Sequence, residues 1–168
     1  SWLAASGFRD VMSSLSDIVT NVQRLKDRVR NACARVSRAP ESVNIVAISK
    51  GHPPDVVRAA VAAGLTDIGE NRVQEAERKI PELTDVPVCW HLVGTLQTNK
   101  VRPAVRMFQM IQSLDRAELG HAIEAECEKR NRTVDALIQV DPTDEAAKHG
   151  VKLDRVDALA SALLAFGR

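Results

Sequence analysis

Val43-Asn44-Ile45-Val46-Ala47-Ile48-Ser49-Lys50-Gly51-His52-Pro53-Pro54 decides how the rest of this chain is read. Ile45, Val46, Ala47 and Ile48 form a short unbroken apolar run, the mark of a strand buried on both faces, so a strand is predicted over Val43–Ser49 with Lys50 at its end. Gly51, Pro53 and Pro54 punctuate the turn that follows. Val56, Val57, Ala60 and Val61 then recur at helical spacing up to Gly64, a natural residue to stand just past a helix end. The unit is strand, loop, helix.

Working outward, the same unit recurs. Strands are predicted near Thr66–Ile68, Val88–Val93, Phe108–Gln112 and Val134–Val140, each leading into a helix. Asp115 and Glu118 stand at the spacing of a helix N-cap and its capping-box partner. Ahead of the first strand, Leu15, Ile18, Val22, Leu25, Val29, Ala32 and Val36 step by threes and fours, which predicts an amphipathic helix over residues 12–37. It reads either as a helix packed on its own domain or as a partner-binding coiled-coil segment. Residues 1–10 are read as disordered or tag-like. Alternating strands and helices call for a parallel sheet, because a parallel pair needs a crossover long enough to hold a helix. No glycine-rich phosphate fingerprint follows the first strand, so a (β/α) barrel is favoured over an open dinucleotide-binding sheet.

Size and composition agree with one soluble domain spanning residues 1–168. A formal net charge of +1 offers no general field for polyanions, so nucleic acid is not an expected partner. No apolar run approaches the roughly 20 residues of a membrane-spanning helix, so no membrane is expected either. Cys33, Cys89 and Cys127 are widely spaced and odd in number, which points to a reducing compartment, the cytoplasm; residues 1–9, slightly basic and without an acid, suit a transit-peptide remnant and give a mitochondrial setting as the alternative.

In a parallel barrel the reactive side chains gather at the carboxyl ends of the strands. Lys50 is at such an end. A free lysine is neutral in only ~1 molecule in 2,500 at pH 7, and attack on an aldehyde needs that neutral form, which burial would favour. From spacing alone, a lysine reaching out to solvent is an equal reading. Gly69, Glu70 and Asn71, then His91, then Ser113 and Asp115, then Asp141 fall at equivalent places in the later units, and a barrel would direct all of them into one mouth with Lys50. Singly they have plainer uses, Asn71 and Asp115 as caps and His91 as a satisfied core histidine. His52, His91, His121 and His149 lack the spacing of metal ligands, no nucleophile elbow is present, and no metal site is expected.

Three motifs carry a resemblance: Val46-Ala47-Ile48-Ser49-Lys50 with Pro53, then Gly69-Glu70-Asn71-Arg72-Val73-Gln74-Glu75, then Trp90-His91-Leu92-Val93-Gly94-Thr95-Leu96-Gln97-Thr98-Asn99-Lys100. In this order they resemble the pyridoxal-phosphate homeostasis proteins, whose barrel is similar to the N-terminal domain of alanine racemase. The likeness runs from about residue 15 to the end and takes in Ser113 with Asp115 and the Lys148-His149-Gly150 loop. It implies an incomplete (β/α) barrel of the alanine racemase type, about five of the eight strands, with an extra N-terminal helix.

The resemblance further implies that Lys50 holds pyridoxal 5′-phosphate as an aldimine. Asn71, His91 and Ser113 would line the cofactor's surroundings, and Lys148 would belong to a loop at the mouth. Asp141 and Ala147 depart from the usual asparagine and serine of that loop. The implied role is that of an intracellular carrier or regulator of the cofactor, without catalytic turnover. The alternatives are a racemase- or decarboxylase-like enzyme using the cofactor as an electron sink, and an interaction module in which the cofactor lysine is vestigial. The family's later glycine- and serine-rich phosphate loops have no counterpart in these residues, so weak cofactor binding is expected. Unpaired edges of an unclosed barrel would invite a second copy or a completing partner.

Overall fold

A computed structural model describes residues 4–143 and 149–165, with side chains from residue 16 onward. Helix α1 (Ala4–Ala34) comes first, beginning inside the 1–10 stretch; residues 1–3 and the side chains of that stretch lie outside the description. Strands β1 (Ala47–Ile48), β2 (Asp67–Glu70), β3 (Cys89–Leu92), β4 (Met110–Leu114) and β5 (Asp135–Ile138) form one sheet in sequential order. All four pairings are parallel, with Ile48 opposite Gly69, Gly69 opposite His91 and His91 opposite Met110. Between them run α2 (Pro54–Ala62), α3 (Val73–Lys79), α4 (Val101–Met107) and α5 (Ala117–Arg130), and α6 (Val156–Leu164) closes the described chain. The result is an arc of a (β/α) barrel whose edges are β1 and β5.

Alternation along the strands divides the two faces. Ile68, Trp90, Leu92 and Ile111 point toward the helices and join Val57, Val73, Ala76, Val101, Val105, Phe108, Leu119 and Ile123 in one buried core. The residues between them face the concave side. Gly69 is on that side: a Cβ there would stand 2.5 Å from Ile48 and 3.1 Å from Val93, so only glycine lets these two side chains pack across it.

Several expectations change in detail. The first strand is ladder-paired over only Ala47–Ile48, opposite Ile68 and Gly69. The fifth is divided: Asp135–Ile138 stays in the main sheet, while β6 (Val140–Asp141) leaves it to pair with β7 (Val151–Lys152) in a separate two-stranded sheet. The capping box is absent. Helix α5 starts at Ala117 with Arg116 as its N-cap and no side-chain cap, and Asp115, one residue too early, instead accepts from Arg116 Nη1 at 2.5 Å.

Helix α2 ends as its glycine suggests. Gly64 has φ +82°, its N–H bonds to Val61 O at 2.8 Å and that of Leu65 to Ala60 O at 3.0 Å, the paired bonds of a Schellman cap. Lys26 of α1 donates to the carbonyls of Ala63 and Gly64 at 3.0 and 3.1 Å, tying the N-terminal helix to that cap. The packed stripe of α1 is therefore Ile18, Val22, Lys26, Val29 and Cys33, with Val22 and Cys33 buried, and Leu25, Ala32 and Val36 remain exposed. The helix packs on its own domain through Val22, which joins the core, and through Lys26, a charged anchor invisible to a count of apolar residues.

Candidate functional site

Lys50 emerges where β1 leaves the sheet. Ile48 and Lys50 are exposed while Ser49 between them is buried, so the lysine shares the concave side with Ile48 and Gly69. The peptides on both sides of Lys50 are held by one buried ion cluster. Ser49 Oγ donates to Glu70 Oε1 at 2.6 Å, and Lys79 Nζ donates to the Ser49 carbonyl at 2.7 Å. Lys79 also pairs directly with Glu70 and lies 3.5 Å from Glu75 Oε1. The N–H of Gly51, at φ +73°, donates to that same Glu75 oxygen. The Gly51 N–H, with Lys79 adding to it, holds the Glu75 carboxyl below the usual carboxylate range. A flexible lysine thus grows from a backbone fixed immediately before and after it.

Glu70 belongs to this support, not to the mouth. It is fully buried on the helix side of β2, and its second oxygen has no partner. Asn71 does reach the mouth. With Gly51, His52, Arg72, Thr95 and Lys100 it lines a cleft of about 1150 Å³ that runs from the loops after β1, β2 and β3 along α3 to Arg78 and Glu82; Gly51 lines it, while Lys50 itself does not. The β3 loop crosses the Asn71 backbone at Gly94, where a Cβ would come within 2.8 Å of the Asn71 carbonyl carbon and closer still to its oxygen.

His91 is buried one layer deeper on the concave face, in register with Gly69, about 7 Å toward the strand starts from the level of Lys50. Its Nε2 is 3.0 Å from Asp67 Oδ1 and its Nδ1 3.0 Å from Gln112 Nε2, which assigns the ring proton to Nε2, donated to the carboxylate, with Nδ1 accepting from the amide. Asp67 and Gln112 were not singled out in the sequence; the signal that could have found them is their place two residues along the same strand face from Gly69 and Met110. Beside them, burial and then the Asp67 charge push the Cys89 thiol up.

Ser113 is completely buried where the β4–β5 register shifts between Ile111 and Leu114, and its Oγ has no partner. Neither it nor Lys50 lines the cleft. Lys148 lies outside the described residues; its neighbour His149 lines the cleft.

Asp141 turns away from the mouth into its own loop. It accepts from the Thr143 N–H and hydroxyl, both at 2.9 Å, and from Lys152 Nζ at 2.8 Å. Lys152 first, then the Thr143 N–H, bring its carboxyl down to about 2. A depressed folded-state value means stabilisation that is complete above the unfolded value of about 3.9 and lost as pH falls through the folded one. The β6–β7 pairing should therefore hold at pH 4 and loosen toward about 2. Amide exchange at Val151, which bonds to Gln139 O at 2.8 Å, reads this directly, and Lys152→Ala should move the loosening to higher pH.

A parallel βα arc carrying a lysine at the end of its first strand and a polar cleft at the strand ends defines a class: barrels that work from their carboxyl face. Comparison narrows the class. The family described as alanine racemase, N-terminal domain, matches residues 16–167, and the chain belongs to it. A pyridoxal phosphate homeostasis protein of Pseudomonas aeruginosa is 37% identical over 149 residues, 89% of this chain and 65% of the relative. PipY of Synechococcus elongatus, solved with PLP bound, superposes with a TM-score of 0.69 at 36% identity, over 80% of this chain and 63% of that one. Alanine racemase from Corynebacterium glutamicum shares the fold alone, with a TM-score of 0.60 at 17% identity over 90% of this chain and 40% of its own. The chain thus spans somewhat less than two thirds of the relatives it matches most fully. No helix among the described residues is long and apolar enough to cross a membrane.

Proposed function

We propose that this chain binds pyridoxal 5′-phosphate covalently through Lys50 and serves as a carrier or regulator in the homeostasis of that cofactor. The observation that carries the reading is the fixation of Ser49 and Gly51 on either side of Lys50, which gives one amine a defined origin beside a cleft of about 1150 Å³. That volume is ample for a small molecule. When bound, the cofactor supplies an aldehyde for an amine and a phosphate dianion for cationic and N–H donors.

The residues present fit both demands. Lys50 offers the amine, and Arg72, Lys100 and His149 supply cationic or N–H donors along the cleft, with Asn71 in position to donate or accept. His91 would contribute from below, through a ring whose proton is committed to Asp67. Lys148 completes the set we assign by family likeness, while Ser113, enclosed at the β4–β5 register shift, stands apart from the cleft. The names of the homeostasis relatives and the PLP-bound PipY support the same cofactor.

The carrier role favours a site that holds its ligand and exchanges it, which suits an exposed lysine on a rigid backbone. We place the protein in the cytoplasm, the compartment that three unpaired cysteines suit best. Among the described residues β1 and β5 each have one ladder partner, and a further strand, from this chain or a second one, would pair with either.

Incubation with pyridoxal 5′-phosphate, reduction with borohydride and peptide mapping should find the cofactor's mass on Lys50. Lys50→Ala should lose that label while leaving the thermal midpoint near that of the parent. Label spread over many surface lysines, or undiminished in Lys50→Ala, would overturn the reading.

A further inference from the structure

Asp67, Cys89 and His91 bring one carboxylate oxygen, one thiol sulfur and one imidazole nitrogen within 4.8 Å of one another. We infer that these three side chains form a binding site for a divalent transition-metal ion of the zinc class, on the concave face at the amino-terminal end of β2 and β3.

The sheet builds this set. Asp67 and Cys89 are directly opposed in the parallel ladder, and His91 follows two residues after Cys89 on the same face. Metal–ligand bonds of about 2.0–2.3 Å in a tetrahedral shell put ligand atoms ~3.3–3.8 Å apart. The Asp67–His91 separation of 3.0 Å and the 4.8 Å limit of the group bracket that spacing, so side-chain rotation without backbone movement closes the shell.

The surroundings suit a metal as well. The ring of His91 is already oriented from behind by Gln112, whose nitrogen lies 3.0 Å from Nδ1. With ion on Nε2, a turn of the Gln112 amide puts its carbonyl oxygen where Nδ1–H donates, the outer support that metal-bound histidines regularly have. Thiolate and carboxylate together neutralise a dication. A sulfur ligand disfavours magnesium and calcium, which take oxygen shells. His91 is only 5% exposed but Asp67 is 29% exposed, which leaves an entry path and a fourth position for water. The site shares only His91 with the cofactor reading, since Lys50 lies a layer above it and supplies no ligand.

The test is a Co²⁺ titration of the whole chain under reducing, chelator-free conditions. A thiolate-to-cobalt absorbance band should saturate at one equivalent and be displaced by Zn²⁺. It should vanish in Cys89→Ser and persist in a Cys33→Ser/Cys127→Ser double variant, each checked for an unchanged metal-free circular dichroism spectrum. Gln112→Leu should weaken binding about 10–100-fold. X-ray absorption of the cobalt-loaded parent should find one sulfur among nitrogen and oxygen ligands, a result independent of any variant's folding. No saturable band in the parent, a full band in Cys89→Ser, or a cobalt shell without sulfur would each overturn the inference.

Discussion

Lys79→Met is expected to lower the unfolding free energy by about 3–5 kcal/mol, because it strands the fully buried Glu70 carboxylate without its cation. Glu70 has little reserve: Ser49 Oγ donates to one oxygen, and the other has no partner at all. Removing both charges is a different matter. The double variant Glu70→Leu/Lys79→Met leaves no buried ion, so most of the loss should be recovered, as apolar replacements of whole buried pairs generally allow. Guanidinium denaturation of the two single variants and the double closes the cycle.

The same cluster holds the Ser49 carbonyl and, through Glu75, the Gly51 N–H, so the stable double variant separates support from stability. It should fold and yet label less at Lys50 in the borohydride experiment, since the backbone that aims the amine has lost a donor. An unaltered midpoint in Lys79→Met would mean that the ion pair does not exist in solution.

Gly94→Ala should cost about 3 kcal/mol, the upper end of what overpacking usually imposes. The added methyl would meet backbone, not a side chain that can rotate away: the Asn71 carbonyl carbon at 2.8 Å and Cα at 3.0 Å. Either β2 and β3 separate at their carboxyl ends or the Asn71 peptide turns. Each response moves the cleft wall, so reduced labelling of Lys50 should accompany the lower denaturation midpoint. Full stability in this variant would show that the two loops approach less closely than described.

Much of the architecture was legible because it rests on local pattern. Four of the five sheet strands fall within about two residues of the expected stretches, and the Gly64 helix end is as predicted. Burial on both faces makes a parallel strand read as an apolar run, and a crossover helix repeats that reading every unit. Legibility failed where a long-range partner decides. Lys79 reads as an ordinary charged residue near a helix end, yet it is the buried counter-ion of a glutamate nine positions earlier. Ser113 and Asp141 fall at strand ends, but one is enclosed at a register shift and the other is captured by a lysine across a small second sheet.

The sequence by itself determined the succession of strands and helices, the place of Lys50 at the end of the first strand and the family to which the chain belongs. Periodicity and turn chemistry act over a few residues, so they are written in consecutive positions. Only the tertiary structure decided which polar side chains share a space: Ser49, Glu70, Lys79 and Glu75 beneath the lysine, and Asp67, Cys89 and His91 on the concave face. Strand register sets those groupings, and register is a relation between segments twenty or more residues apart that no local pattern records.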